Sequence, residues 1–277
     1  PELPLTLGIT DLFEKEGLPI FGPSRSASEI EGSKVFSKRI MEAAKVPTAD
    51  AAVFDSREEA LSYTKDKGFP IVIKADGLAQ GKGVIIANDM DEASSAIDSM
   101  LVKGMFGDAG RRIIVEDYLE GEEATFLVFT DGKTIVPMVS SQDHKRVYDG
   151  GKGPNTGGMG AIAPSPLIDI NGEATVIDRI IRPVMEAMER EGRRYRGILY
   201  AGLMICKDGP RVLEFNARFG DPEAEAVLPL LETDLVDIME SVIANRLNQL
   251  AVKWRAGASA CIVLASKGYP GAYTKGV

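Results

Sequence analysis

A short strand-like segment carries polar side chains at alternating positions, Glu214, Asn216 and Arg218. Alternation along a β-strand places these three on one face and Phe215 and Ala217 on the other. A carboxylate and an amide oxygen two residues apart are oxygen ligands suited to Mg²⁺, and a guanidinium beside them can bind a phosphate oxygen. The pattern predicts a metal and phosphate site. The alternative is a half-buried strand with a polar outer face.

A glycine-rich turn lies between two β-branched runs, at residues 69–75 and 84–87. Backbone N–H groups can approach an anion closely at glycine, and lysine adds positive charge, so the turn suits a polyphosphate. A strand follows the turn where a P-loop would have a helix, which predicts a hairpin lid. The alternative is a surface hairpin without function. The lysines and glycines of this segment are Lys74, Gly77, Gly81, Lys82 and Gly83.

A third polar segment contains the only histidine of the chain, His144, and precedes a glycine-rich loop at 150–160. Long loops of this kind are usually functional or disordered, so the segment is a candidate functional site. The alternatives are an exposed imidazole without a role and a solvated run of charges. The candidates here are Asp143, His144, Lys145, Arg146, Asn155, Thr156 and Gly157.

An acidic turn follows a predicted strand at residues 116–123. Exposed backbone in this turn could bind an adenine edge while a carboxylate holds ribose hydroxyls. A solvated acidic turn is the alternative.

The elements that must position these residues are mixed. Hairpins are predicted over Asp131-Gly132 and Asp208-Gly209, where Asp-Gly favours a tight turn. Asp91 is predicted to cap a helix, and Pro183 is predicted to bend a long helix. Interspersed helices and antiparallel hairpins indicate an α+β fold and exclude a doubly wound parallel sheet.

Composition limits the class of protein. The 277 residues are 44% hydrophobic and 26% charged, as in soluble globular proteins, and the formal net charge is −9. An acidic chain repels a phosphate polymer, so nucleic-acid binding is disfavoured. Two cysteines form neither a disulfide framework nor a zinc site, which favours a cytoplasmic protein. No apolar run approaches the ~18 residues of a membrane span.

Both ends of the sequence are expected to belong to flanking domains. The first 23 residues contain one helix and one strand, which cannot cover each other's apolar faces. A strand from Ala258 is followed by few further residues. The alternative is a complete protein with ragged termini.

Taken together, these motifs resemble the ATP-grasp fold. Glu-Asp-Tyr-Leu-Glu-Gly-Glu-Glu at 116–123 and Glu-x-Asn-x-Arg at 214–218 support this resemblance. Three further strings resemble the phosphoribosylamine–glycine ligase family: Ser-Gln-Asp-His-Lys-Arg, Gly-Pro-Asn-Thr-Gly-Gly-Met-Gly and Arg-Phe-Gly-Asp-Pro-Glu. The resemblance runs in order from Pro1 to Val277.

The resemblance implies four regions and an ATP site between two α+β subdomains. The regions are the tail of an N-terminal domain with a linker (1–32), a small subdomain with the lid (33–118), a large subdomain with the metal and substrate site (119–253) and the start of a C-terminal domain (254–277).

The resemblance also assigns residue roles. ATP would be held by Lys34, Lys74, Gly81, Lys82, Gly83, Glu116, Leu119 and Glu123. Of these, the Glu116–Leu119 hinge would bind adenine and Glu123 the ribose. Mg²⁺ or Mn²⁺ would be held by Glu214 and Asn216. Glycine and 5-phosphoribosylamine would contact His144, Arg146, Asn155, Thr156, Gly157 and Asp221. Acyl transfer would involve Arg218, Lys145 and Asp143.

The implied activity joins glycine to 5-phosphoribosylamine through glycyl phosphate, in a monomer or weak homodimer without nucleic-acid or membrane partners. Many ATP-grasp proteins have another acidic ligand on the strand before the metal site, where this chain has Ala201-Gly202-Leu203-Met204. One metal site would then be weaker, or its second ligand would come from elsewhere. The alternatives are another ATP-grasp carboxylate–amine ligase and a non-catalytic Mg-ATP-binding module.

Overall fold

The computed structural model describes residues 2–78 and 83–274. Gly81 and Lys82, predicted to contact ATP, lie outside these ranges. The strands are β1 (Ala51–Phe54), β2 (Ile71–Ala75), β3 (Val84–Ala87), β4 (Ile113–Asp117), β5 (Glu122–Thr130), β6 (Ile135–Pro137), β7 (Gln142–Asp143), β8 (Arg146–Tyr148), β9 (Lys152–Asn155), β10 (Gly160–Ala163), β11 (Gly197–Cys206), β12 (Gly209–Asn216) and β13 (Ser259–Ile262). The α-helices are α1 (Glu2–Thr6), α2 (Ile9–Lys15), α3 (Arg25–Gly32), α4 (Lys34–Ala43), α5 (Arg57–Lys67), α6 (Met90–Ile97), α7 (Ile170–Val176), α8 (Arg182–Arg190), α9 (Glu223–Val227) and α10 (Leu235–Ile243).

A small four-stranded sheet has the order β1-β4-β2-β3, with every neighbouring pair antiparallel. Alternate residues of its strands, among them Ile71, Ile73 and Val115, are buried in a core shared with α5 and α6. The other face carries Lys74 and Glu116. Since residues of opposite parity point to opposite faces, burial of the isoleucines presents the charged pair away from this core.

A larger four-stranded antiparallel sheet has the order β12-β11-β5-β6. One face packs in a core that includes Phe36 of α4, Val184 of α8 and Phe215 of β12. The opposite face contributes Tyr200 to a second core that is shared with α9 and α10. Helices therefore cover both sides of this sheet.

Two smaller sheets complete the fold, one of order β13-β10-β7 and one formed by the β8–β9 hairpin. The glycine-rich stretch at 150–160 was predicted to be a loop, but residues 152–155 pair with 146–148 and form this hairpin. Positive φ angles at Gly150 and Gly151 form its turn, a conformation that glycine adopts without strain.

The α+β prediction is confirmed, whereas one predicted helix cap needs correction. The helix predicted to be capped by Asp91 is capped by Asp89, whose carboxylate accepts from the N–H of Glu92. The bend at Pro183 stays a prediction; a π-helical segment, Ile177–Ile181, precedes this proline, which lies in the first turn of α8. Among the described residues, no helix combines the length and apolarity needed to cross a membrane.

Candidate functional site

A cleft lies between the two four-stranded sheets. The small sheet contributes one wall, β12 contributes the other, and α3 and α4 close one side. Seven residues predicted from the sequence line it: Lys34, Lys74, Gly83, Glu116, Glu214, Asn216 and Arg218. The fold therefore brings together three sequence motifs that are far apart along the chain.

A β-bulge aims the predicted metal ligands into the cleft. Gly202 pairs with Glu214 and Leu203 with Val212, so Leu213 is the extra residue on β12. Val212 and Phe215 consequently both point into the core, although they are three residues apart. A bulge changes side-chain direction locally, and here it leaves Glu214 and Asn216 facing the cleft. The prediction that they share a face opposite Phe215 is consistent with this geometry.

Glu214 lies in a positive environment. Burial alone would raise the pKa of its carboxyl group, but Lys145, Lys34 and Lys74 outweigh burial, and the net shift lowers that pKa. A deprotonated carboxylate beside an amide oxygen fits a hard divalent cation that keeps water and phosphate oxygens as its other ligands. Among the described residues, no cluster of three or more acidic, histidine or cysteine side chains competes for such an ion.

Asp76 forms hydrogen bonds with the first turn of α4, at the side of the cleft. Ser33 caps α4 and its hydroxyl donates to Asp76 Oδ1 at 2.8 Å, while the N–H of Val35 donates to the same oxygen at 3.1 Å. Arg112 holds the other carboxylate oxygen at 2.6 Å. Lys34 follows the cap directly and its ammonium donates to Gly77 O at 3.1 Å. The start of α4 and the end of β2 are thus held together at the cleft.

Arg218 is held by acidic side chains. Its Nε lies 3.3 Å from Glu31 Oε1 and 3.5 Å from Glu2 Oε2. Glu31 also accepts from the N–H of Ala217 at 2.7 Å. Burial raises the pKa of Glu31, and Arg218 opposes this increase. These two carboxylates hold a guanidinium that, like Asn216, lines the cleft.

Asp143 and Lys145 form a second polar cluster beside the cleft. Lys145 Nζ lies 2.6 Å from Glu123 Oε2. Burial would lower the pKa of Lys145, but Glu123 and Glu214 outweigh it and raise that pKa. Burial and the nearby Glu223 raise the pKa of Asp143 to about 7. Asp143 Oδ1 is buried and accepts no hydrogen bond from the part of the chain that the structure describes.

Glu223 is the acidic residue that sequence reasoning missed in this cluster. Its side chain is buried, and its Oε1 accepts from Tyr200 at 2.7 Å and from Thr125 at 2.9 Å. Thr125 lies directly across Gly202 from Glu214 in the large sheet. The Gly-Asp-Pro-Glu string contains Glu223, but only the folded sheet places it beside Asp143.

The glycine-rich segment is tied to the same cluster by its backbone. Thr156 donates to Lys145 O through both its N–H, at 2.8 Å, and its hydroxyl, at 2.9 Å. The N–H of Gly157 donates to Tyr269 at 3.0 Å. Arg146 donates to Gly153 O at 2.7 Å within the β8–β9 hairpin, where it pairs with Asn155.

The remaining predicted contacts lie farther out. His144 and Asp221 are exposed, and His144 uses its backbone N–H and C=O to pair with Gly160 and Met159. Leu119 and Glu123 are not among the described residues that line the cleft. Their roles toward adenine and ribose stay predictions.

Lys38 is a further cleft-lining cation that the motifs did not indicate. It lies four residues after Lys34 on α4, and residues at this spacing share a helix face. Helical periodicity could have suggested it, whereas its partners are set by the fold alone.

The chain matches the family described as phosphoribosylglycinamide synthetase, ATP-grasp (A) domain, over residues 32–224. It is 51% identical over 276 residues to a phosphoribosylamine–glycine ligase of Caldanaerobacter subterraneus subsp. tengcongensis. That alignment covers 100% of this chain and 66% of the relative. The chain thus spans slightly less than two thirds of the length of that curated relative.

Solved structures show the same fold. The crystal structure of the Thermotoga maritima phosphoribosylamine–glycine ligase has a TM-score of 0.84 at 33% identity, covering 92% of this chain and 64% of that one. The biotin carboxylase domain of Hydrogenobacter thermophilus 2-oxoglutarate carboxylase, solved with MgADP and bicarbonate, has a TM-score of 0.69 at 20% identity, covering 90% and 54%. The chain belongs to the phosphoribosylglycinamide synthetase family and contains its ATP-grasp domain.

Proposed function

We propose that this chain forms the nucleotide and acyl-transfer core of a phosphoribosylamine–glycine ligase. The single observation that supports the proposal best is the joining of Lys74 to the metal-ligand strand: Lys74 Nζ donates to Leu213 O at 3.1 Å, one residue before Glu214. A phosphate-binding ammonium and a metal-binding carboxylate thereby face one cleft. The relatives named above carry this activity in their names.

ATP occupies the cleft between the sheets in this proposal. Lys34 and Lys74 contact the α- and β-phosphates, and Gly83 lies at the end of the glycine-rich turn. Glu214 and Asn216 hold Mg²⁺ or Mn²⁺, which supplies positive charge to the phosphate oxygens when bound. Arg218, which lines the same cleft, binds an oxygen of the transferred phosphoryl group in this proposal.

The reaction follows in two steps. A carboxylate oxygen of glycine attacks the γ-phosphorus and the bond to ADP breaks, which gives glycyl phosphate. The amine of 5-phosphoribosylamine then attacks the carbonyl carbon, the amide bond forms and phosphate leaves with the electron pair of the broken C–O bond. In this proposal Asp143 accepts the amine proton, and Lys145 stabilises negative charge on the departing phosphate.

The test is ADP release by the 277-residue chain with each substrate omitted in turn. Release that requires glycine and 5-phosphoribosylamine together supports the proposal. Glu214→Gln should lower that rate and the Mg²⁺-dependent affinity for ATP at least about tenfold, about 1.4 kcal/mol. Glu186→Gln, an exposed carboxylate on α8, is the matched control.

Other outcomes separate the alternatives. Stimulation by bicarbonate or D-alanine in place of glycine would assign the chain to a different ATP-grasp ligase. Calorimetric binding of a non-hydrolysable ATP analogue without any turnover would leave a nucleotide-binding module.

A further inference from the structure

Lys38 is a buried ammonium whose hydrogen-bonding capacity is fully used within the protein. Its side chain is 5% exposed. Nζ donates to Thr48 Oγ1 at 2.9 Å and to Ala49 O at 3.1 Å, and it lies 3.1 Å from Glu116 Oε1. An ammonium has three donor hydrogens, so these three acceptors leave none for a ligand in the cleft.

Glu116 joins Lys38 to Lys74. Its second oxygen, Oε2, lies 2.7 Å from Lys74 Nζ, and within residues 2–78 and 83–274 Lys74 has one further acceptor, Leu213 O. The carboxylate is thus shared between two ammonium groups, which gives the three side chains a net charge of +1. Among these described residues, nothing accepts the third N–H of Lys74, which is left for the cleft.

The same network connects both walls of the cleft. Thr48, which accepts from Lys38, donates to Val212 O at 2.8 Å, and Val212 N donates to Pro47 O at 2.8 Å. Lys74 reaches the neighbouring carbonyl of the same strand, Leu213 O. Both ends of the network therefore attach to β12 at the bulge beside Glu214.

We propose that Lys38 is a positioning residue that acts through Glu116 on Lys74. By taking one oxygen of Glu116, Lys38 prevents Lys74 from forming a fully neutralised pair, and Lys74 keeps a net positive charge and a free donor for a polyphosphate. The ligand class is a nucleoside polyphosphate, so the inference rests on the nucleotide site of the proposed function. It does not depend on the substrates that the site joins.

Charge accounting makes the proposal testable. Lys38→Met leaves Glu116 and Lys74 as a one-to-one pair with zero net charge. Affinity for a non-hydrolysable ATP analogue with Mg²⁺ should then fall about tenfold, whereas affinity for adenosine, which has no phosphate, should change less than about twofold. Lys38→Arg should keep most of the affinity for the analogue because it retains the positive charge.

The double variant Lys38→Met/Glu116→Gln provides the critical comparison. Removing the carboxylate restores a net charge of +1 through Lys74, so the double variant should bind the analogue more tightly than Lys38→Met alone. A purely structural role predicts the opposite, since the second substitution disrupts the network further. Lys65→Met, which removes one positive charge from an exposed position on α5, is the control.

Isothermal calorimetry on the full 277-residue chain measures these affinities, and circular dichroism verifies folding. Equal analogue affinity in wild type and Lys38→Met, an equal loss for adenosine, or a weaker double variant would each overturn the proposal. If Lys38→Met does not fold, Lys38→Gln tests the same charge change with an amide that can still donate to Ala49 O. If the wild-type chain binds the analogue but shows no ligase turnover, the proposed function is refuted. The analogue affinities of the wild type and the Lys38 variants would still test the role of Lys38.

Discussion

Glu214 and Asp143 are both poorly exposed carboxyl groups, yet their pKa values shift in opposite directions. Burial raises both, but Lys145, Lys34 and Lys74 oppose it strongly at Glu214, and the pKa of Glu214 falls. At Asp143 the neighbouring Glu223 adds to burial, and the pKa rises to about 7. Two carboxyl groups with pKa values moved apart are suited to different tasks, metal binding for one and proton transfer for the other.

The raised pKa of Asp143 predicts a specific dependence of stability on pH. Between the ordinary value of 3.8 and the folded value of about 7, the folded chain holds a proton that the unfolded chain has released. Stability therefore falls as pH rises through this window. Asp143→Asn should remove this contribution, which is at most about 1.4 kcal/mol for each pH unit.

Urea unfolding at pH 5, 6, 7 and 8 measures this slope in wild type and variant. Asp149→Asn, in the exposed turn of the β8–β9 hairpin, should leave the slope unchanged. Parallel slopes for wild type and Asp143→Asn would show that Asp143 titrates at an ordinary pKa in the folded chain.

Single residues differ in how far the sequence reveals them. Glu214 and Asn216 could be predicted because their ligand chemistry and alternate spacing lie within one strand. Helical spacing from Lys34 could suggest the position of Lys38, but the roles of Lys38 and Glu223 could not be predicted. Those roles depend on partners 78 residues away for Lys38–Glu116 and 98 for Glu223–Thr125. No local pattern records such a pairing.

At the scale of elements, the β-bulge at Leu213 interrupts the alternation of side chains between the two faces of β12. The rule that alternate residues share a face holds from Glu214 to Ala217 but fails between Val212 and Glu214. A bulge has no reliable sequence signal when the extra residue is leucine. Its consequence is functional, since the carbonyl of Leu213 is the acceptor for Lys74.

The segment after His144 depends on a glycine that has no room for a side chain. Gly158 has a φ of +126°, and a Cβ there would lie 2.9 Å from Asp143 Oδ1 and closer still to Pro222. Gly158→Ala should therefore introduce both backbone strain and a steric clash. It should lower the free energy of unfolding by at least about 1 kcal/mol more than an alanine substitution that introduces backbone strain only. Thermal and urea denaturation measure this difference.

Gly150→Ala is the matched control. Gly150 also has a positive φ, +70°, but a Cβ there meets nothing within 4 Å. Equal destabilisation by the two substitutions would mean that backbone strain accounts for the whole effect and that Gly158 is not packed against Asp143 and Pro222.

Helix and strand positions were largely predictable because propensity and hairpin signals are local. Asp131-Gly132 and Asp208-Gly209 do join β5 to β6 and β11 to β12. The cap at α6 was misassigned by two residues because Asp89 and Asp91 are both good capping residues. A second interaction decides between them, the N–H of Asn88 donating to Glu92 Oε2 at 2.8 Å.

At the scale of the whole molecule, the site exists only because two separate cores face each other. The small sheet has its own core with α5 and α6, and the large sheet packs against α4 and α8. The relative placement of two cores depends on contacts between distant segments, such as Thr48 with Val212. Composition and periodicity carry no information on how the two cores are placed relative to each other. The family resemblance, in contrast, implied that a nucleotide binds between two subdomains.

A ligand that bridges the two sheets should protect both from hydrogen exchange. At a ligand concentration 100 times Kd, binding adds about 2.7 kcal/mol to any opening that releases the ligand, which slows exchange about 100-fold. With Mg²⁺ and a non-hydrolysable ATP analogue, amides of β2 and β12 should gain protection together, since Lys74 and Glu214 lie on these two strands. Local openings of α10, which packs on the far side of the large sheet, should exchange at unchanged rates and serve as the internal control. Protection confined to one sheet would mean that the nucleotide binds outside the cleft. A nucleotide held both by Lys74 on β2 and by a metal at Glu214 on β12 must be released before either strand can open.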